Sequence, residues 1–190
     1  MFNGDEVAVN IDEGTGAVSL TDEFGNDVNV TATDIQASNG VVHVIDGLLT
    51  PSLNLAEVAQ LNGFTTLLDL AAEAGVDELL EDETLEATVF APTNDAFAAL
   101  AEVPTGDDLL AVLQYHAVDG IAESGDLFNG QEIATLFDGE IVTVNIEGDV
   151  VTLTDGQGNI VNVTMVDVPA NNGIIHVIDA VLLPPTPPAS

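Results

Sequence analysis

The feature that most constrains the fold of this chain is a long internal repeat. NGVVHVID at residues 39–46 returns as NGIIHVID at 172–179, and FNGDEVAVNI at 2–11 returns as FDGEIVTVNI at 137–146. The sequence between these matches also aligns, once the first copy is allowed an insertion in a Gly-rich turn, where changes of length are tolerated. Residues 55–136 have no earlier counterpart. The chain therefore holds one structural unit completely and a second one in part.

The repeat defines the predicted domain organisation. The first copy stands alone, whereas the second copy follows the unique segment directly. We therefore expect a half domain followed by a complete domain. The predicted segments are a β-rich half domain (1–50), a joint (51–54), a complete domain (55–185) and a Pro-rich tail (186–190).

The repeated sequence has the pattern of β-strands. Apolar residues alternate with polar ones in both copies, and Gly-Asn or Gly-Asp turns separate the alternating stretches. This alternation is carried in the first copy by Val7, Val9, Ile11, Val28 and Val30, and in the second by Val142, Val144, Ile146, Val161 and Val163. Strands are therefore predicted in both copies.

The unique segment has the pattern of helices around one short strand. Residues 53–76 place apolar side chains at helical spacing, with Gly63 and Gly75 as breaks or caps. A strand is predicted at 88–91, and Pro92 should end it before a helix capped by Thr93 or Asn94. Another helix is predicted at 109–118. The fold class is therefore α/β in the α+β sense.

The charge balance restricts the partners of this protein. The chain has 33 Asp and Glu, no Lys, no Arg and no Cys, for a formal charge of −33. We expect no nucleic-acid partner, and anionic lipid surfaces are poor partners, because the chain has no Lys or Arg to neutralise a phosphate. No segment is apolar enough to be inserted in a membrane. The carboxylates must be solvated, bonded by N–H groups, or neutralised by cations, so we expect diffuse or weakly bound Ca²⁺ or Mg²⁺ and no dedicated cofactor.

Three ordered motifs resemble the fasciclin-like domain family. They are TVFAPTNDAFAAL (88–100), LLAVLQYHAVDG (109–120) and NGIIHVIDAVLLPP (172–185), and the resemblance extends over residues 54–185, while 1–51 resemble the second half of a preceding copy. This resemblance implies a β-wedge with helices, usually in tandem, extracellular or at the cell surface, and used for adhesion or matrix assembly. It implies no shared catalytic activity.

The resemblance also implies candidate contact residues. The pair Tyr115 and His116 ends a mostly apolar helix, which favours a hydrogen-bonded structural role for both. The resemblance allows a ligand-contact role instead, as the Tyr-His motif has in animal adhesion proteins, and it also points to Asp179 at the end of the repeated phrase. We expect His176 and its counterpart His43 to be half-buried residues whose polar atoms are satisfied, with His176 on the strand face of Ile174 and Ile178.

Catalytic and metal sites are not predicted. Ser124, His116 and Asp119 supply the residue types of a hydrolase triad, but no nucleophile elbow or oxyanion loop accompanies them. The three His stand in distant segments, which disfavours a transition-metal site. The acidic turn at 22–27 offers oxygen ligands for Ca²⁺, but its spacing is not that of an EF-hand. The protein is therefore not expected to be an enzyme.

Two sites fit the pattern of N-glycosylation. Asn29-Val30-Thr31 and Asn162-Val163-Thr164 occupy equivalent positions of the two copies. Alternating strand sequences also produce N-V-T without any glycan, so both interpretations stay open.

The half domain leaves three arrangements open. The chain belongs to a longer tandem array, or another chain completes the half domain, or the half domain packs on its neighbour. Each chain has two second halves and one first half, so reciprocal swapping always leaves one second half over.

We expect a non-catalytic structural or adhesion protein, a subunit of a fibre, matrix or tandem cell-surface array. Its partners are copies of itself, adjacent fasciclin-like domains, and cell-surface or matrix components. The alternative is a soluble extracellular module that binds a carbohydrate, a lipid or a cation.

Overall fold

The computed structural model describes residues 7–22, 25–49, 53–82, 84–148 and 150–186. They belong to two compact units, Met1–Ser52 and Leu53–Ser190, called here the first and the second unit. Helices and sheets occur together, as expected for the predicted fold class.

The described part of the first unit is a four-stranded antiparallel sheet in which each strand pairs with the next one in the chain. Its strands are β1 (Ala8–Ile11), β2 (Val18–Thr21), β3 (Asp27–Ala37) and β4 (Gly40–Ile45). Between β1 and β2, the Asp12 carboxylate accepts hydrogen bonds from the backbone N–H groups of Gly14 and Thr15. This turn brings the first two strands into an antiparallel pair.

The second unit, over its described residues, combines helices with a seven-stranded sheet of order β6-β5-β11-β10-β9-β8-β7. Its helices are α1 (Leu55–Leu61), α2 (Thr65–Ala74), α3 (Asp77–Glu81), α4 (Asn94–Ala98) and α5 (Asp107–Tyr115). Its strands are β5 (Ala87–Pro92), β6 (Ala117–Asp119), β7 (Glu132–Ala134), β8 (Ile141–Glu147), β9 (Val150–Thr154), β10 (Ile160–Ala170) and β11 (Gly173–Ile178). Strands β5 and β11 are parallel, and the other neighbours are antiparallel.

Local sequence explains where the helices of the second unit begin and end. Asn54 caps α1 in a reciprocal pair of hydrogen bonds with Glu57, and Gly75 ends α2 with a left-handed φ of 70°. Gly63 follows the end of α1, also with a positive φ. Both glycines therefore separate helices, as predicted.

Of the two residues predicted to cap the helix after β5, only Thr93 does so. Thr93 caps α4 through a bond from the Ala96 N–H. Asn94 does not serve this helix: its Oδ1 accepts from the Thr66 N–H in the first turn of α2, and its Nδ2 donates to the Gly63 carbonyl. The amide of Asn94 thus joins two helices, because the turn before α2 lies beside it.

The central strands of the second unit are buried on both faces. Every residue of β5 and β11 is buried. Ile175 and Val177 contribute to a core shared with the helices, whereas Phe90 and Ile178 contribute to a second core formed with strands β8–β10. Alternate side chains of β11 therefore lie in different cores, because successive side chains of a strand point to opposite faces of the sheet.

Strands β1–β4 and β8–β11 have the same pairing register. Val30 pairs with Ile45 as Val163 pairs with Ile178, and both ladders shift twice at equivalent positions. Asp34 and Asp167, at the second shift, both have left-handed backbones, with φ of 58° and 56°. The first unit therefore repeats the strand pairing of the second unit's closing half.

One predicted helix is shorter than expected. The pattern at 109–118 was predicted to be helical throughout, but α5 ends at Tyr115. Ala117 and Val118 instead belong to β6, which pairs with β5. The apolar residues of this short strand also fit the spacing of one more helical turn, so the sequence pattern alone does not separate the two.

Candidate functional site

The predicted contact residues Tyr115 and His116 lie inside the second unit. Their exposed fractions are 0% and 2%. The Tyr115 hydroxyl donates to the carbonyl of Ile141 at 2.6 Å, which joins the end of α5 to β8. A contact through either side chain would require this unit to open, and their role in adhesion stays a prediction.

The environment of His116 keeps its ring neutral. Nδ1–H donates to the Val112 carbonyl at 2.7 Å, and Nε2 accepts from the Leu182 N–H at 2.9 Å. Burial lowers the pKa of His116 to about 4, against smaller opposing effects of the Val112 carbonyl and the charge of Asp155. Both nitrogens are occupied within the fold, so the ring does not serve as a general base in this arrangement.

The third predicted contact residue, Asp179, is exposed but bonded. Its Oδ1 accepts from the Asn162 N–H at 3.0 Å and its Oδ2 from the Asn162 amide at 2.7 Å, while its own N–H donates to the Asn162 carbonyl. The predicted glycosylation site Asn162 and the predicted contact Asp179 are thus one structural pair. Both roles stay predictions.

The same pair occurs in the first unit. The Asp46 carboxylate accepts from the Asn29 N–H at 2.8 Å and from the Asn29 amide at 2.9 Å. These bonds from Asn29 lower the pKa of Asp46. Because the pair recurs at equivalent positions, it is part of the repeated architecture, holding the start of β3 or β10 to the end of the following strand.

The residues of the suggested hydrolase triad have other partners. The Ser124 hydroxyl binds the Asp167 carboxylate, which also accepts from the Ser124 N–H at 2.8 Å. His116 is bonded to Val112 and Leu182, as described above. The structure therefore does not join Ser124, His116 and Asp119 into a triad.

No metal site is formed among the described residues, which contain no group of three or more His, Asp or Glu side chains arranged to hold a metal ion. The acidic turn at 22–27 lies partly outside the described residues, which omit 23 and 24. Within its described part, Asn26 donates to both oxygens of the Asp22 carboxylate. Weak association of Ca²⁺ or Mg²⁺ stays a prediction.

His176 is more deeply buried than predicted. Its exposed fraction is 1%, its Nε2–H donates to the Ala122 carbonyl at 2.8 Å, and its Nδ1 accepts from the Asp167 N–H at 3.3 Å. Its ring stacks on Phe90 with 5.6 Å between centroids. Two of these partners, Phe90 and Ala122, belong to the unique segment, which explains why the ring is covered completely.

His43 is less buried than predicted, since its side chain is exposed. So are Val41, Val42 and Val44 of the same strand, at 47%, 50% and 42%. Their counterparts in β11 are 6%, 1% and 6% exposed, at Ile174, Ile175 and Val177. We call β4, with these exposed residues, the open strand.

The open strand lies at the edge of its sheet among the described residues, whereas β11 lies between β10 and β5. Val28 and Asp22 alone are buried among the described residues of the first unit. A small sheet with so little buried surface is marginal by itself. The repeat predicts a half domain over residues 1–50, but it does not indicate which of its strands is exposed.

Comparison with known proteins identifies the family. The model of the Fasciclin domain matches residues 2–51 and 62–184. The chain belongs to the fasciclin domain family. Protein sll1483 of Synechocystis sp. is 39% identical over 148 residues, which cover 70% of this chain and 75% of that protein. The predicted family is therefore confirmed.

Other fasciclin relatives are longer than this chain. Fasciclin-like arabinogalactan protein CTB11 of Cercospora beticola is 28% identical over 175 residues, covering 90% of this chain and 45% of that protein. Human periostin is 33% identical over 160 residues, covering 78% and 18%. This chain thus spans less than half of either protein.

A solved structure supports the fold. The FAS1 domain pair from the insect cell adhesion molecule fasciclin I aligns with a TM-score of 0.58 and 20% identity, covering 93% of this chain and 66% of that one. At this identity the likeness concerns the fold alone. Across the described residues, no helix has both the length and the apolar character needed to span a membrane.

Proposed function

We propose that this fasciclin-family chain is a non-catalytic structural or adhesion protein that acts outside the cell or at its surface and joins other polypeptides through its first unit. The observation that carries the proposal is the contrast between the open strand and β11, which have nearly the same sequence but opposite burial. In the second unit every residue of β11 is buried, whereas most of the equivalent residues of β4 are exposed.

The family and charge support this proposal. A solved relative of the same fold is a cell adhesion molecule by its description. Relatives from Synechocystis and from a fungus show that the family is not limited to animals. A surface without Lys or Arg presents no cleavage site to trypsin-like proteases and remains soluble where salt or divalent cations screen it. These properties suit a protein that persists in an extracellular setting.

The test is the mass of the native chain in solution. At near-physiological salt with Ca²⁺, light scattering should show association that increases with protein concentration, because the open strand is apolar and uncharged. Val42→Glu should return the chain to monomers. The same change at Val150, which is 56% exposed on β9, is the matched control and should leave association intact. Monomers at every concentration, together with no uptake of a separate partner segment, would overturn the proposal.

A second candidate function has an observation of its own. The second unit contains an apolar pocket of about 60 Å³ between helices α1–α3 and strand β5, lined among others by Leu67, Leu80, Val89 and Leu136. A small apolar ligand fits this lining better than a carbohydrate or a cation, because few polar groups converge on it. Uptake of xenon, followed by its ¹²⁹Xe chemical shift, tests whether the cavity accepts a small apolar solute. A shift unchanged by Leu80→Trp, which would fill the pocket, would contradict this candidate.

A further inference from the structure

The dipeptide Asn-Gly occurs at the same turn of both units, as Asn39-Gly40 between β3 and β4 and as Asn172-Gly173 between β10 and β11. Both turns consist of two residues, and in both the glycine is the first residue of the second strand. Each glycine pairs with the alanine that ends the preceding strand. The strand pairing is thus equivalent, so Asn39 and Asn172 can be compared through the surroundings of their side chains.

The side chain of Asn172 is held on both of its polar atoms. It is 1% exposed, and its Oδ1 accepts a hydrogen bond from the Leu55 N–H at 2.8 Å. Its Nδ2 donates to the carbonyls of Leu80 and Asp82, at 3.0 and 3.1 Å. Rotation of this side chain would therefore break three hydrogen bonds inside the second unit.

The side chain of Asn39 is not restrained in this way. It is exposed, and among the described residues it has no hydrogen-bond partner. The neighbouring Gly40 has no Cβ, and a Cβ built there would meet nothing within 4 Å. The Gly40 nitrogen is therefore open to approach by the side-chain carbonyl carbon of Asn39.

Other Asn-Gly sequences of the chain are restrained where the structure describes them. The Nδ2 of Asn62 donates to the Val58 carbonyl at 2.8 Å, and the Oδ1 of Asn129 accepts from the Ile146 N–H at 2.9 Å. Residues 3–4, which are also Asn-Gly, lie outside the described residues. Within the described part of the chain, Asn39 is thus the one asparagine before a glycine whose side chain no hydrogen bond holds.

We propose that Asn39 is a site of spontaneous deamidation. The Gly40 backbone nitrogen attacks the side-chain carbonyl carbon of Asn39, and a new C–N bond closes a cyclic imide. The bond from that carbon to the side-chain nitrogen breaks, and this nitrogen leaves as ammonia with the proton that the Gly40 nitrogen loses. One water molecule then opens the imide to aspartate or isoaspartate, and the acid proton goes to the solvent.

Either product places a new carboxylate in the turn beside the open strand, which has no carboxylate of its own. In isoaspartate the main chain runs through the former side chain, so the turn between β3 and β4 also becomes longer by one carbon. Asn172 forms neither product while the second unit is closed, because its side chain turns only after local opening. The deamidation itself does not depend on the proposed function.

The experiment follows the intact chain by mass spectrometry during several weeks at near-physiological pH and temperature. Cleavage after Glu separates the fragment 24–57, which contains Asn39, from the fragment 148–190, which contains Asn172, and each holds one Asn-Gly sequence. The mass increase from amide to acid should appear at Asn39 at least about tenfold faster than at Asn172, which reacts only from an opened state. Fragment-ion spectra locate the modified residue and distinguish isoaspartate from aspartate.

Two comparisons connect the rate to the structure. In denaturant both asparagines are unrestrained, so their rates should agree within about threefold. Gly40→Ala adds a Cβ that has room in the folded turn and no left-handed φ to strain it, and should slow the reaction at Asn39 by about tenfold or more with an unchanged circular dichroism spectrum. Equal rates at Asn39 and Asn172 in the folded chain would overturn the inference. So would an equally large difference in denaturant, or an unchanged rate in Gly40→Ala.

Discussion

The Nε2 atom of His116 accepts a hydrogen bond of 2.9 Å from the backbone N–H of Leu182. His116 follows the last residue of α5, and Leu182 lies beyond β11, so the bond joins two distant parts of the chain inside the second unit. Both side chains are buried. A protonated ring would point an N–H toward the N–H of Leu182, so this contact depends on the neutral form.

Acidification should weaken the second unit through His116. Its pKa is lowered from 6.5 to about 4, so the unfolded chain binds the proton first as the pH falls. The contribution is complete above pH 6.5 and is lost as the pH falls toward and below 4, by roughly 3 kcal/mol at most. Denaturant unfolding of the original chain and of His116→Gln should show a stability difference that shrinks over this range. A difference independent of pH would contradict the assignment.

Alkaline titration should show a single protected tyrosine. Tyr115 is the one Tyr of the chain, and burial raises its pKa from 10 to about 12, with the charges of Asp155 and Glu140 acting in the same direction. The tyrosinate absorbance should appear near pH 12 in the native protein and near 10 in denaturant. Stability should fall as the pH rises above 10, because the unfolded chain ionises first. Tyr115→Phe should abolish that dependence, and a native midpoint near 10 would refute burial of the hydroxyl.

Equivalent glycines should respond differently to the same substitution. Gly173→Ala brings a Cβ against the Ala87 carbonyl oxygen and Leu55, and should destabilise the second unit by about 3 kcal/mol or more. Gly40→Ala is the matched control and should change stability by no more than about 0.5 kcal/mol. Thermal melting followed by circular dichroism measures both. Equal losses would show that β4 has a covering strand in the isolated chain.

Removal of the Asp179 carboxylate should cost stability whatever its role in binding. Asp179→Ala deletes two hydrogen bonds from Asn162 and should lower the free energy of unfolding by about 1–2 kcal/mol. Glu102→Ala, at an exposed position, controls for the loss of one negative charge. If both variants melt alike, the Asn162–Asp179 pair contributes nothing to the fold.

Salt should stabilise the chain. Its 33 acidic residues have no Lys or Arg to balance them, so their mutual repulsion is screened by counter-ions alone. The melting temperature should rise with NaCl, and at lower concentration with Ca²⁺, by about 2–4 °C for each kcal/mol of repulsion relieved. Identical melting curves at low and high ionic strength would contradict this expectation.

Sequence patterns predicted the family and the fold class because three ordered motifs occur at the required spacing. Local signals also located the helix ends at Gly63 and Gly75. Contacts between distant segments were harder to predict. Asn94 accepts a hydrogen bond from Thr66 in the first turn of α2, although α3 and β5 lie between them in the chain, and no local pattern indicates this bond. The same limit explains His43 and His176, whose neighbouring residues are nearly identical but whose burial depends on a segment distant in sequence.

The last strand of the second unit is also a central one, since β11 lies between β10 and β5. During synthesis on the ribosome, β5 therefore emerges long before the strand that will pair with it in parallel. The helices and β5 cannot complete their core until Ile178 has left the exit tunnel. Folding of this unit is thus a late event with high contact order, and a nascent chain stopped before residue 173 should remain sensitive to proteases throughout its helical segment.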